Sequence, residues 1–329
     1  MTKKNKDPKK HHTVPVGYLK NFTDKNGLNW VVTSELKVFS NVPKNILNRK
    51  NYNTITFGDG TKSFVIESGY LNQIEKAFSD VNDSKVNSLK PLSLEDKAKI
   101  AMFIGAQFMR AEGRRNAMLD FMNRIEESTR WVEDLTEEQK RKLAEQNKSM
   151  FPDSEDSVPV SELLKHREDM STFMASGLPD NVEGIAPIIY DMQWALIYDK
   201  NGRFITSDDP VVLVNPTLDA MNGGKGTWMQ AGLMQDDVEL SFPLTKHVQL
   251  LAGWKLSKDL QYVYAAESQI EEFNRRQMRH SRSVVLSSEA AANARLREIR
   301  IRNKLYDARN VLAKPFKEVL KEELERDDA

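Results

Sequence analysis

The sequence predicts an α+β fold: a central helical region, with a mainly antiparallel or mixed sheet formed by N-terminal and C-terminal strands. Three observations lead there. Short alternating runs fill residues 29–65, helical spacing follows from about Ile66, and a second series of short apolar runs begins at Trp194. The chain has 329 residues, of which 40% are hydrophobic and 29% charged, enough for one large domain or two ordinary ones.

The elements read in order. "NWVVTSELKVFS" from Asn29 alternates as a strand does. "YNTITFGDGTKSFVIES" is two short strands around Gly58-Asp59-Gly60, a hairpin signal. Tyr70, Leu71, Ile74, Ala77 and Phe78 then share a helical face. Ser93 with Asp96 three residues on marks a capped start. The stripe Ile104, Phe108, Ala111, Leu119 and Met122 predicts one long helix reaching the 130s. Residues 135–180 read as an inserted stretch of exposed, charged helices joined by the loop "FPDSEDSVP". After Trp194, "WALIYD", "RFITSD", "VVLVN", "ELSFPLT" and "VQLLAGW" are strands of one sheet, which the N-terminal strands could join. "SQIEEFNRRQMRHSR" is a helix and "SVVLSS" a strand. The domain is expected to span 11–288, and 289–329 to form a charged helical tail that offers a surface to a partner or a second copy.

Composition excludes several chemistries. Without cysteine there is no disulfide, thiolate nucleophile or cysteine zinc site. Forty-eight basic residues balance 48 acidic ones, so the chain is not coated uniformly for nucleic acid, though local patches remain possible. No apolar run approaches the ~20 residues of a membrane span, and no secretory signal opens the chain, so a cytoplasmic location is expected.

The polar residues of interest fall into clusters. "KKHHTVPVGYLKNF" places His11 and His12 side by side. In an extended segment they point to opposite faces, so at most one faces a given site. Neutral imidazole serves as base, metal ligand or hydrogen-bond donor; the alternative is a surface pair in a basic tail. Gln107, Arg110 and Arg114 share a helix edge bordering the apolar stripe, suited to a phosphate or carboxylate, or to a snorkelling flank. Glu67 sits on the apolar face of its helix and Glu75 at its margin, so Glu67 is paired, metal-bound or a first-turn cap. In "FITSDDPVVL", Ser207 and Asp208 end a strand, aimed into a cleft or closing a turn. "NGGKGT" at 222–227 lacks phosphate-loop spacing. Arg275, Arg276, Arg279 and Arg282 could meet a phosphate backbone or simply solvate a helix.

Together these clusters resemble the bacterial family known as domain of unknown function 4238. The family's H-H-x-V-P-x-x-Y-L-x-x-F is matched by His11, His12, Val14, Pro15, Tyr18, Leu19 and Phe22, and its I-E-x-x-L-x-x-I-E, with altered spacing, by Ile66-Glu67 through Ile74-Glu75. Q-x-x-R matches Gln107 and Arg110, F-I-T-S-D-x-P-V matches Phe204 to Val211, and F-P-L matches Phe242 to Leu244. A late asparagine before a serine-ending strand corresponds to Asn274 and "SVVLSS". One departure is Arg110-Ala111-Glu112, where the family continues R-T-P. The resemblance implies an accessory gene of mobile elements or phage-defence loci, and so a nuclease-type effector cutting RNA or DNA. In that role His12, Glu67, Gln107, Arg110 and Asp208 would be catalytic, and His11, Arg114, Ser207, Asn274 and Arg275 would bind substrate, with a divalent metal possible. The alternative is a non-catalytic sensor that binds a nucleotide or peptide through a buried polar network. Hydrolysis of a free nucleotide or dinucleotide is a third form. Convergence of His12, Arg110 and Asp208 in one cleft separates catalysis from binding.

Overall fold

The structure, a computed structural model, describes residues 10–133, 135–150, 169–221, 231–257 and 259–300. Strand β1 (Lys10–His12) pairs antiparallel with β4 (Asn48–Lys50), setting His11 opposite Arg49 and His12 opposite Asn48. Pro15 then caps the short helix α1 (Val16–Leu19). Strands β2 (Asn29–Thr33) and β3 (Val38–Asn41) form a hairpin, as do β5 (Ile55–Thr56) and β6 (Lys62–Ser63). A π-helical turn (Ile66–Leu71) runs into α2 (Asn72–Ser84). Helix α3 (Leu94–Arg110) opens on the expected capping box, in which Ser93 and Asp96 bond reciprocally.

The long helix of the sequence reading is two helices. Ala111 takes extended backbone, φ −59° and ψ 138°, and α4 (Glu112–Glu133) starts afresh. This is the shape that a proline at position 112 would impose, with the residue before it extended and position 112 first in the next helix. The chain adopts it without proline. The Tyr52 hydroxyl bonds the Arg110 carbonyl at 2.9 Å, satisfying a helix-end acceptor that the break exposes. Helices α5 (Glu137–Met150), α6 (Met170–Ser176) and α7 (Leu178–Asp191) follow. Residues 1–9, residues 151–168 with the expected loop "FPDSEDSVP", the "NGGKGT" segment and the tail beyond 300 lie outside the described residues.

The remaining elements are β7 (Gln193–Tyr198), β8 (Thr206–Ser207), β9 (Val212–Val214), α8 (Pro216–Met221), β10 (Glu239–Pro243), β11 (Val248–Gly253), β12 (Gln261–Tyr264), α9 (Glu267–His280) and β13 (Ser283–Leu286). The late strands do not form one sheet. Five make the order β12-β7-β11-β10-β9, antiparallel except for β12 beside β7. The other sheet, β3-β2-β13-β8, is antiparallel and joins N-terminal to C-terminal strands. Its composition follows from a hydrogen-bonding demand: β13 needs partners on both edges and finds β2 on one side and β8 on the other.

The five-stranded sheet is covered on both faces, as its alternation requires. Trp194, Leu196, Phe242 and Leu250 pack with α2, α3 and α7, while Ile197 packs with Phe204, Ile270 and Phe273 under α9. Tyr18 sits among Phe22, Phe78, Phe103 and Phe242, with ring centroids 5.2–6.1 Å away. Each fully buried aromatic contributes about 1.5–3 kcal/mol by burial alone. The Tyr18 hydroxyl meets Thr206 Oγ1 and the Pro243 carbonyl, each at 2.7 Å, and so ties the N-terminal segment to both sheets. Among the described residues no helix is long and apolar enough to cross a membrane.

Candidate functional site

Where β1, the π turn, α2 and the α3–α4 break meet, the protein buries a polar network. His11 is 0% exposed, with its ring edge-on to Phe64 at 5.9 Å. The Asn53 backbone N–H donates to His11 Nδ1 at 2.8 Å. An amide N–H can only donate, so Nδ1 is the acceptor and the neutral ring carries its proton on Nε2. The Asn53 side chain donates to Glu67 Oε2 at 2.7 Å and accepts from Arg115 Nη2 at 2.8 Å. Arg115 also bonds the Tyr52 carbonyl at 2.6 Å and lies 3.5 Å over the Tyr52 ring. Burial pulls the Arg115 guanidinium below its usual range and pushes the Tyr52 phenol up to about 12.

The same network continues through Tyr52 to the end of α3. Arg110, 1% exposed, donates through Nε to Gln107 Oε1 and through Nη1 to Glu75 Oε1, the latter at 2.7 Å. Two donors remain: Arg110 Nη2 and Gln107 Nε2 are buried and have no partner among the described residues. Unsatisfied buried donors cost about 1–3 kcal/mol each, more for a charged group, so they call for an oxygen. The π turn helps to place the acids. Glu67 and Glu75 are eight residues apart, 80° apart on a regular helix at ~100° per residue, and the wider i→i+5 turn takes up the additional residue. Both carboxylates reach the network while remaining partly open to solvent.

A second polar centre lies beside the first. Asp208 accepts from the Arg282 and Ser283 backbone N–H groups at 3.1 and 3.2 Å. It lines a hollow of about 290 Å³ with Thr13, Asn48, Arg49, Glu112 and Arg282. Arg49 grips the Glu112 carboxylate at 2.9–3.2 Å. Burial raises the Asp208 carboxyl above its ordinary range, and nearby Glu112 adds to this. Asp209 is raised further, to about 7, by burial, which Arg114 only partly offsets; its Oδ1 has no partner among the described residues.

The structure thus joins Glu67, Gln107 and Arg110 in one network, with His11 in it. His12 turns the other way and bonds the Lys44 carbonyl at 3.2 Å. His12 and Arg110 are not among the residues lining the Asp208 hollow, so His12, Arg110 and Asp208 do not share that cleft. Arg114 leaves the Gln107–Arg110 edge at the helix break and stacks 3.8 Å over Phe108. Ser207 bonds Gln277 Oε1 and the Asp209 N–H, closing a turn. The Asn274 amide bridges the Ile205 N–H and the Arg203 carbonyl on the wall of a separate cleft of about 640 Å³. Arg275 pairs with Glu272, and Arg276 with Glu239 and Glu272. Among the described residues no group of three metal-ligating side chains could hold a metal ion.

The family model described as a protein of unknown function (DUF4238) matches residues 10–291. The chain belongs to the DUF4238 family. The match begins at β1 and ends just after β13, so both sheets and both polar centres fall within the DUF4238 region. No curated protein and no solved structure matches the chain. Within this DUF4238 protein, Tyr52, Asn53 and Arg115 went unnoticed in the sequence. "NYNT" reads there only as the approach to a hairpin, and Arg115 as a residue of an uninterrupted helix.

Proposed function

We propose that this protein recognises a phosphodiester through Arg110 and Gln107 and hydrolyses it, as a nuclease-type effector would in a phage-defence or toxin setting. The observation that carries this reading is the pair of buried donors, Arg110 Nη2 and Gln107 Nε2, left over beside the partly exposed Glu75 carboxylate. The charge balance favours a diester. The network holds two guanidinium groups and two carboxylates: Arg110 pairs with Glu75, and Asn53 stands between Arg115 and Glu67. That neutral set accommodates a monoanionic diester better than a dianionic phosphate monoester.

On this reading the residues take the following roles. Arg110 and Gln107 donate to a non-bridging oxygen, where charge develops as water attacks phosphorus. Glu67 takes the proton of the attacking water, and a solvent water protonates the leaving oxygen as the P–O bond breaks. His11, its proton held on Nε2, orders the Asn53 loop. It is not the proton source, because a neutral ring that gave up that proton would become imidazolate.

A second reading has its own support. Arg110 and His11 are almost wholly enclosed, and neither His12 nor Arg110 lines the Asp208 hollow, as in a sensor that closes a polar network around a nucleotide or peptide. Incubating the purified chain with labelled RNA and DNA separates the two. The nuclease reading expects cleavage by wild type and none by Glu67→Gln. Binding without cleavage by wild type would favour the sensor.

A further inference from the structure

We infer that Asn53 is a positioning residue that fixes His11 as an Nε2–H donor and aims Glu67. Its catalytic meaning rests on the phosphodiester reading; its geometry does not. Asn53 is 0% exposed, and its backbone N–H, side-chain N–H and side-chain oxygen are each committed: to His11 Nδ1, Glu67 Oε2 and Arg115 Nη2. One residue therefore decides the tautomer of the imidazole and the direction of the carboxylate. The loop carrying it is held from outside. Ser171 Oγ donates to the Tyr52 carbonyl at 3.0 Å, and Thr172 Oγ1 accepts from the Thr56 N–H at 2.9 Å. Helix α6 thus pins both ends of the 52–56 segment, and Asn53 is placed by backbone rather than by its own rotamer freedom.

Asn53→Asp keeps the volume, the backbone N–H and the acceptor for Arg115, but it puts a second carboxylate where the donor to Glu67 stood. Two carboxylates at hydrogen-bond distance share a proton at low pH and repel when both ionise. The folded state then holds protons that the unfolded state gives up, so the variant loses stability as pH rises. The groups facing position 53 are His11, Glu67 and Arg115, and the guanidinium stays charged throughout.

The experiment has two readouts on the full chain, neither requiring a ligand. Nitrogen-15 spectra of histidine-labelled protein at pH 8, with His11 assigned by His11→Gln, should show the Nε2–H tautomer. Thermal melts should show Asn53→Asp losing about 3 °C more at pH 8 than at pH 5, relative to wild type. An Nδ1–H tautomer in wild type overturns the inference, and so does a melting deficit independent of pH. If Asn53→Asp does not fold at pH 8, folding at pH 5 supports the inference and failure at both values overturns it. Loss of nuclease activity alone bears on the phosphodiester reading and leaves these results untouched.

Discussion

The Arg110 guanidinium is completely enclosed, yet its partner, the Glu75 carboxylate, remains 30% exposed. A buried cation is thus neutralised from the solvent side. Removing the acid strands the base. Glu75→Gln should destabilise the fold by about 2–4 kcal/mol, because an uncompensated buried charge costs more than the pair was worth. Arg110→Lys keeps the charge near Glu75 and should cost less, while losing the fork that offers Nη2. Denaturant midpoints of the two variants check the order; a smaller loss for Glu75→Gln would refute it.

The two histidines should separate cleanly. His11→Ala empties an enclosed site and removes the acceptor for the Asn53 N–H, so a loss of about 2 kcal/mol or more is expected. His12→Ala removes one exposed contact to the Lys44 carbonyl and should cost under about 1 kcal/mol. Chemical denaturation of both variants tests this, and equal losses would speak against it.

Asp209 should make stability depend on pH in an unusual direction for a carboxylate. Its folded value of about 7 lies above the ordinary 3.8, so the folded state holds a proton that the unfolded chain releases. The contribution is therefore full below pH ~4 and declines as pH rises toward 7, by on the order of 4 kcal/mol at most. Asp209→Asn should remove this part of the slope and stabilise the protein at pH 8. Gly113 belongs to the same prediction, since a Cβ there would lie 2.9 Å from Asp209 Oδ2. Gly113→Ala should destabilise wild type more than it does a chain carrying Asp209→Ala. Melting temperatures across pH for this set give the answer.

Tyr18→Phe keeps the aromatic cluster but leaves the Thr206 hydroxyl and the Pro243 carbonyl short of a buried partner. A loss of about 1–3 kcal/mol is expected. A neutral substitution would mean that the hydroxyl contributes nothing to joining the two sheets.

Much of the fold was legible because its signals are local. The Ser93–Asp96 cap, the hairpin around Gly60 with φ +80° and the alternation after Trp194 all state their structure within a few residues. The division of strands between two sheets was not legible. It depends on which edges of β13 find partners, a choice made between residues 30, 206 and 285 that no window contains. The helix break at Ala111 was hidden for a related reason. Periodicity persists on both sides of it, and what stops α3 includes a hydroxyl from Tyr52, 58 positions away in sequence.

The site was half legible. Glu67, Gln107 and Arg110 were visible as polar residues on apolar helix faces, where burial demands a partner. The sequence alone could not choose between His11 and His12, because alternation says only that they part, not which side is covered. The pairing of β1 with β4 makes that choice. Asn53 and Arg115 gave no signal: an asparagine before a hairpin and an arginine in a helix are ordinary until the fold sets them 2.8 Å apart.

Calorimetric titration with a thymidine dinucleotide, which carries a single monoanionic phosphodiester, tests the central claim most directly. At low salt wild type should bind it, and Arg110→Lys, still folded at the temperature of the titration, should bind at least tenfold more weakly. Equal affinity in the two proteins would contradict the account, because the phosphodiester would then be held without the fork of Arg110.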